Sequence, residues 1–416
     1  MHSRREYIYY GVLALPLALL GLPLYIYLPT FYAQDVGLGV FGVGVVLLFA
    51  RVFDMFNDPI VGHLSDRYLS RKAFMFFGVF LLLIGFYFLT HPRDGAGYLW
   101  LFVFSILVYF GWSLLSISYL ALGADLGKCY EHNTNFATSR EIFNILGVVA
   151  ALMLPYAWGV AQEAKESLIL LNSVIFVVLP LAFLIIYFKA NATTLPKHLI
   201  TFRQSYKLFK AELVKSRALF GAFFLNSFAN AIPATLFLFY VEFIIKAKDK
   251  AGLLLLLYFV SGLVALAFWS KLANKISKKR AWSLSIINAI FFFSFVPLLG
   301  EGDFILFLFI TIFSGMSLGA DMALPASMQA DVAQNSQDAP RKMGGTLFGF
   351  FAMLVKLSLA FGVGVSFAIL GLFDFDASLP NEDSLIALIF LYGVLPVLLK
   401  IAALFVLARY EEKKEP

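Results

Sequence analysis

The feature that most constrains this chain is the recurrence of apolar segments long enough to cross a membrane. A helix needs about 20 apolar residues to span the hydrocarbon core, whereas a barrel strand needs only about 10. Such segments are predicted at residues 7–32, 40–64, 74–90, 98–124, 140–159, 168–188, 218–245, 251–272, 281–299, 304–329, 344–373 and 385–407. The sequence therefore predicts an all-α, polytopic membrane protein with 12 transmembrane helices.

The distribution of charge predicts how the chain lies in the membrane. Hydrophobic residues make up 61% of the chain and charged residues only 14%, a balance that excludes a soluble domain. Lys and Arg collect in alternate loops, which by the positive-inside rule predicts that both termini are cytoplasmic. We expect the membrane to be a bacterial inner membrane. The net charge of +6 therefore reports topology and does not indicate nucleic-acid binding. We expect a monomer in the lipid bilayer that binds a small-molecule or amphiphile substrate.

A basic segment at residues 189–217 divides the spans into two equal groups. It has amphipathic character and is typical of a surface helix that links two parts of a membrane protein. The predicted domains are a six-helix half at 1–188, this linker, and a second six-helix half at 218–416. The stretch 269–280 takes the place in the second half that 62–72 takes in the first, a weak internal repeat of the kind that transporters show.

Three charges lie within the second predicted span. Arg51, Asp54 and Asp58 are spaced i, i+3 and i+7, so they share one helix face. A charge near the bilayer centre costs about 2.5–3.5 kcal/mol on insertion scales, so these side chains need partners or a water-filled cavity. Two interpretations follow: an Arg–Asp cluster that locks helices together, or a site for a cation or proton.

Other polar side chains within the spans are candidates for a substrate cavity near the membrane midplane. They are Ser116, Tyr119, Arg140, Asn144, Asn226, Asn230 and Asp321. The alternative for each Asn is a helix–helix hydrogen bond, worth about 0.6 kcal/mol in membranes. An integral membrane enzyme is the rival class of function, but the five His residues are scattered along the chain. The absence of a G-x-x-x-x-G-K-[ST] loop argues against an ATP-driven pump.

The loop between the second and third spans carries a recognisable pattern. Gly62, Asp66 and Arg67, followed by Arg71-Lys72, resemble the G-x-x-x-D-R-x-x-R-R loop of the major facilitator superfamily. Asp66 is predicted at a helix C-terminus, where the macrodipole disfavours an anion. We therefore expect it to contact the amino end of the eleventh span and Arg341 or Lys342. We predict that Gly62, Asp66, Arg67 and Arg341 form a gate.

Four stretches together resemble one family within that superfamily, the glycoside–pentoside–hexuronide:cation symporters of the melibiose permease type. They are Ala50–Gly62, Tyr119–Leu126 with Arg140, Gly315–Val332 and Arg341–Leu357. The resemblance implies the major facilitator fold and a cation-coupled secondary transporter that works by alternating access. It also implies a coupling site formed by Asp54, Asn57 and Asp58, with Lys356 close by. Because Arg51 lies one turn away on the same helix, we expect it to favour ionisation of the two Asp side chains.

The sequence departs from this family at the residues that bind the sugar. Ser116 and Leu19 stand where the family has acidic residues, so the substrate can be a glycoside or an amphiphile. A lysolipid or organic-anion transporter or exchanger of the same fold is the alternative. The lost carboxylate at Ser116 favours H⁺ over Na⁺ as the coupling ion, since Na⁺ prefers several oxygen ligands; no other cofactor is expected.

Overall fold

The structure is a computed structural model that describes residues 4–67, 70–127, 129–160, 163–190, 202–335, 343–375 and 380–412. In these ranges the regular structure is helical, without a strand. The α-helices are α1 Arg4–Gly11, α2 Ala14–Thr30, α3 Val40–Arg67, α4 Arg71–Thr90, α5 Tyr98–Leu126, α6 Tyr130–Ala157, α7 Ala164–Lys189, α8 Phe202–Lys215, α9 Arg217–Phe243, α10 Ala251–Lys275, α11 Lys278–Phe293, α12 Phe304–Asn335, α13 Gly344–Leu372, α14 Glu382–Ile389 and α15 Leu395–Ala408.

Ten helical segments of the described residues are long and apolar enough to cross a membrane. They correspond to the third to twelfth predicted spans, and α14 and α15 form one of them through a π-helical turn at Phe390–Val394. The first two predicted spans are α2, with 17 residues, and α3, which carries the three charges. The prediction of an all-α, polytopic membrane protein is confirmed.

The first and fifth predicted spans differ from the observed helices. The segment 7–32 is broken after Gly11, because Pro16 has no N–H to donate to the carbonyl of Val12. That carbonyl accepts from the Leu15 N–H instead, at 3.2 Å, and α2 begins at Ala14. The fifth span was predicted to begin at Arg140, but α6 begins ten residues earlier, at Tyr130. Asn133 and Thr134 are buried on that added part of the helix. The hydropathy pattern missed it because polar residues occupy its buried face.

The chain forms two compact units. The first comprises Met1–Ser205 and Gln329–Met353, so it includes the end of α12 and the start of α13. Its apolar core contains residues of α2, α4, α5 and α7, among them Leu20, Leu82, Leu115 and Leu171. The second comprises Tyr206–Met328 and Leu354–Pro416, with a core around Tyr240, which stacks on Tyr392. The predicted boundaries at 188 and 218 stay a prediction.

Candidate coupling and substrate sites

Two carboxyl groups are buried side by side on α3. Asp54 and Asp58 lie one helical turn apart, with side chains that are 5% and 1% exposed. Between them lies the hydroxyl of Ser113, from α5, with its Oγ atom 3.1 Å from Asp54 Oδ1 and 2.5 Å from Asp58 Oδ1. Asn57, on the same helix, is also buried. The helix thus brings three of the predicted coupling residues together, and α5 adds a fourth polar group.

The hydrogen count of this trio limits its protonation. A serine hydroxyl has one hydrogen to donate, and an ionised carboxylate can only accept. Oxygen atoms 2.5–3.1 Å apart need a hydrogen between them. Both short contacts of Ser113 are therefore satisfied when one carboxylate accepts its hydrogen and the other carboxyl is protonated and donates to it.

A cation lies near this pair on the same helix. The Arg51 guanidinium carbon is 5.3 Å from the centre of the Tyr109 ring on α5, a cation–π contact that holds the arginine beside the α3–α5 packing. Lys356 lies on α13 within the second unit. Its predicted pairing with the carboxyl groups, like the predicted influence of Arg51 on them, stays a prediction.

Asp66, near the end of α3, caps the amino terminus of α13. Its Oδ1 accepts from the Gly345 N–H at 2.8 Å, and its Oδ2 accepts from the Thr346 N–H at 2.7 Å and the Thr346 hydroxyl at 2.8 Å. The first N–H groups of a helix have no partner within it, and the helix dipole favours an anion there. These contacts lie within the first unit, whereas the gate role proposed for Asp66 stays a prediction.

Arg71, the first residue of α4, completes this cluster. It donates to Asp66 at 2.6 Å, to Ser65 at 2.7 Å and to Asp125, at the end of α5, at 3.3 Å. The cation expected beside Asp66 was Arg341, which lies outside the described residues. Arg67 is the half-buried last residue of α3. The ion pair of Asp66 thus comes from an arginine five residues further along the chain.

Gly62 allows α3 and α13 to approach closely at this cluster. A Cβ atom on Gly62 would lie 2.7 Å from the carbonyl carbon of Gly345 and 3.1 Å from the Cα atom of Thr346. Both distances are shorter than ordinary van der Waals contact, so the position requires a glycine. The position of Asp66 against the α13 amino end depends on this approach.

Three of the predicted cavity residues of the first unit are bonded to other groups of the protein. Arg140 forms a buried ion pair with Glu141, which also accepts from the Asn144 amide at 3.0 Å. The Tyr119 hydroxyl donates to the Tyr10 carbonyl at 2.7 Å and joins α5 to α1. Ser116 is half-buried on α5, three residues after Ser113. Their roles toward a substrate stay a prediction.

The predicted cavity residues of the second unit form one buried polar cluster with a residue that the sequence analysis missed. Asp321, on α12, accepts from Asn230 on α9 at 2.9 Å and from the Trp282 indole N–H on α11 at 2.9 Å. Lys400, on α15, lies 3.4 Å from Asp321 and donates to Asn226 at 2.8 Å. Four helices of this unit therefore meet at one ion pair.

Three contributors were missed: Ser113, Glu141 and Lys400. Glu141 follows Arg140 directly and is an acidic residue within a span, so the sequence alone indicated that it needs a partner. Lys400 is likewise a single cation in an apolar segment. Ser113 carries no such signal, because serine is tolerated in any membrane helix and only packing against α3 gives it a partner.

Comparison with known proteins agrees with this architecture. The profile of the family described as "MFS/sugar transport protein" matches residues 9–413. The "Uncharacterized symporter YnaJ" of Bacillus subtilis is 23% identical over 411 residues, which cover 93% of this chain and 88% of that protein. The "Glucuronide carrier protein homolog" of Escherichia coli is 24% identical, covering 85% of this chain and 80% of that protein.

The fold is that of a solved transporter. The crystal structure of the E. coli fucose:proton symporter FucP superposes with a TM-score of 0.70 and covers 99% of this chain and 98% of its own. At 15% sequence identity the likeness concerns the fold alone. The finer resemblance to the glycoside–pentoside–hexuronide:cation symporters stays a prediction.

Proposed function

Because the chain belongs to the MFS/sugar transport protein family, a family of secondary transporters, we propose that it is a proton-coupled symporter of a small glycoside. In this proposal the solute crosses the membrane by alternating access, together with one or more protons. The names of the two relatives, a symporter and a glucuronide carrier, support both parts of the proposal. The fold and the family are those of transporters, and no observation favours an enzyme.

The observation that carries the proposal is the serine hydroxyl between two buried carboxyl groups. Asp54 and Asp58 lie too close together for both to be ionised without a compensating cation, since like charges in a low-dielectric site repel. Ser113 supplies a hydrogen to one of them, and a proton on the other completes the set. A site of this kind gains or loses one proton without rearranging its helices.

The coupling then follows from charge balance. With a proton bound, the trio carries one negative charge beside Arg51; without it, the trio carries two. The second charge costs free energy in the membrane interior, so the deprotonated site disfavours any state in which it is shielded from water. Proton binding thereby changes the relative free energies of the transporter's conformations, which is what coupling requires.

The test uses purified protein in liposomes with labelled methyl β-D-glucuronide as the probe. We expect an inside-alkaline pH gradient to drive accumulation above equilibrium, with or without Na⁺. Asp58→Asn and Asp54→Asn should each abolish accumulation, because neither amide can exchange a proton at these pH values. Exchange of internal for external probe should persist, since it needs no net proton movement.

The matched control is Asp94→Asn, which changes the same functional group at an exposed position between α4 and α5. It should transport like the wild type. Accumulation by Asp58→Asn at the wild-type level would remove the acid pair from coupling. Uptake that requires a Na⁺ gradient at fixed pH would overturn the choice of ion.

A further inference from the structure

The second unit contains a buried ion pair that the proposed coupling mechanism does not use. The side chains of Asp321 and Lys400 are 7% and 8% exposed, and Asn226 beside them is 2% exposed. Burying two charges and two amides is costly unless each is bonded, and isolated charges within membrane segments mark functional positions. The bonding pattern of the cluster shows which of its groups can bind a ligand.

Each contact of Asp321 is made by a donor. Asn230 and Lys400 contact its Oδ2 and the Trp282 indole contacts its Oδ1. Three donors around a carboxyl group stabilise its ionised form, because an ionised carboxylate can only accept. A carboxylate also has about four positions at which it accepts. Among the described residues Oδ1 has one hydrogen-bond partner, so it keeps room for another donor.

The distances show that the ammonium is the looser partner of the carboxylate. Lys400 is closer to the neutral Asn226 oxygen, at 2.8 Å, than to Asp321, at 3.4 Å. The two neutral donors hold the carboxylate at 2.9 Å each. Lys400 therefore balances the charge of Asp321 while Asn230 and Trp282 fix its orientation.

This pattern selects among the classes of ligand. The pair of Asp321 and Lys400 is neutral overall, so neither an anionic nor a cationic group placed at Oδ1 would gain much from its charge. A hydroxyl group can donate its hydrogen to Oδ1 without changing the net charge of the site. Hydrogen bonds from neutral donors to a charged acceptor are among the stronger ones. The ligand that fits is a polyol, such as the hydroxyl-bearing face of a sugar ring.

We propose that Asp321 accepts a hydrogen bond from a substrate hydroxyl and that Lys400 is the positioning residue that keeps this carboxylate ionised. The inference rests on the proposed transport of a glycoside and names the group that holds it. Trp282 is fully buried, and its indole N–H bonds Oδ1, the same oxygen that is proposed to accept from the substrate.

The experiment measures equilibrium binding of methyl β-D-glucoside and its monodeoxy analogues to the purified protein in detergent, at one pH and without a gradient. Asp321→Asn should weaken binding about 10- to 100-fold, the worth of a hydrogen bond to a charged group. One monodeoxy analogue should bind the wild type correspondingly more weakly, yet bind Asp321→Asn no more weakly than the parent glycoside does. That lack of additivity places the missing hydroxyl on Asp321.

The double variant Asp321→Asn/Lys400→Met separates binding from folding. Each single substitution leaves one buried group without its partner and should lower the thermal midpoint, whereas the double variant should regain it. Binding should stay weak in the double variant. Lys400→Arg, which keeps the charge, should bind more tightly than Lys400→Met. Asn288→Ala, which removes an α11–α12 hydrogen bond of the same unit, is the control and should bind normally.

The outcomes distinguish the inference from the proposed function. Wild-type affinity in the double variant would make the pair a structural ion pair and overturn the inference, as would equal losses for every deoxy analogue in both proteins. Proton-driven accumulation is measured separately, so its failure with intact glycoside binding would refute the coupling proposal alone.

Discussion

Gly62→Ala tests the close approach of α3 and α13 most directly. The added Cβ atom would lie 2.7 Å from the carbonyl carbon of Gly345, where ordinary contact begins at 3.4 Å. The carbonyl oxygen of Gly345 would lie closer still, so the two backbones must separate by at least roughly 0.7 Å, the difference between those distances. Both sides of this contact are backbone, which cannot turn away as a flexible side chain can.

The separation acts on Asp66, four residues further along α3. Its bonds to the N–H groups of Gly345 and Thr346 are 2.8 and 2.7 Å long, and adding roughly 0.7 Å takes both to the limit of a hydrogen bond. A bond to a charged group contributes about 1.5–3 kcal/mol, so losing both costs about 3–6 kcal/mol. Alanine offsets about 1 kcal/mol of this, because it favours a helix more than glycine does. We expect a net loss of about 2–5 kcal/mol.

The assay is the apparent thermal midpoint of the purified protein, with Gly44→Ala as the control. Gly44 lies on the same helix with nothing within 4 Å of an added Cβ atom, so the same substitution should raise the midpoint slightly. The two variants are therefore expected to differ in sign. Equal midpoints for both would refute the argument that α3 and α13 touch at Gly62.

Two further substitutions test the charged clusters of the first unit. Asp66→Asn should weaken the cap on α13 and the ion pair with Arg71. We therefore expect single cysteines placed at the inner face, in a Cys129→Ser background, to be labelled more strongly from that side. Unchanged labelling would contradict a gate role. Glu141→Gln leaves Arg140 without its carboxylate partner, which should lower the free energy of unfolding by about 3–5 kcal/mol. An unfolding transition like that of the wild type would show that the ion pair does not stabilise the protein.

The sequence predicted what one helix or one apolar stretch determines. The spans follow from length and hydropathy, and Asp54 and Asp58 share a helix face by their spacing alone. The contact of Asp66 with the amino end of α13 was expected because an anion at a helix C-terminus needs a positive partner. The spans and the shared helix face need no knowledge of which helices are neighbours, whereas the contact of Asp66 names one.

The residues that escaped prediction depend on packing between helices. Ser113 lies 55 residues from Asp58 along the chain, and only the register of α5 against α3 brings them together. Arg71, at the start of α4, forms an ion pair with Asp66 that the sequence analysis did not name. The expected contact with Arg341 lies outside the described residues. The partners of Lys400 can be identified only when the positions of α9 and α12 relative to α15 are known.

The buried pair of Asp321 and Lys400 also limits how the gene can change over time. The two codons are 79 positions apart, and substitutions arrive one by one. A lineage that neutralised either residue first would pass through a protein with an uncompensated charge inside the membrane, which selection removes. Descendants should therefore keep both residues or replace both, and the two positions should vary together across relatives although neither is near the other in the chain.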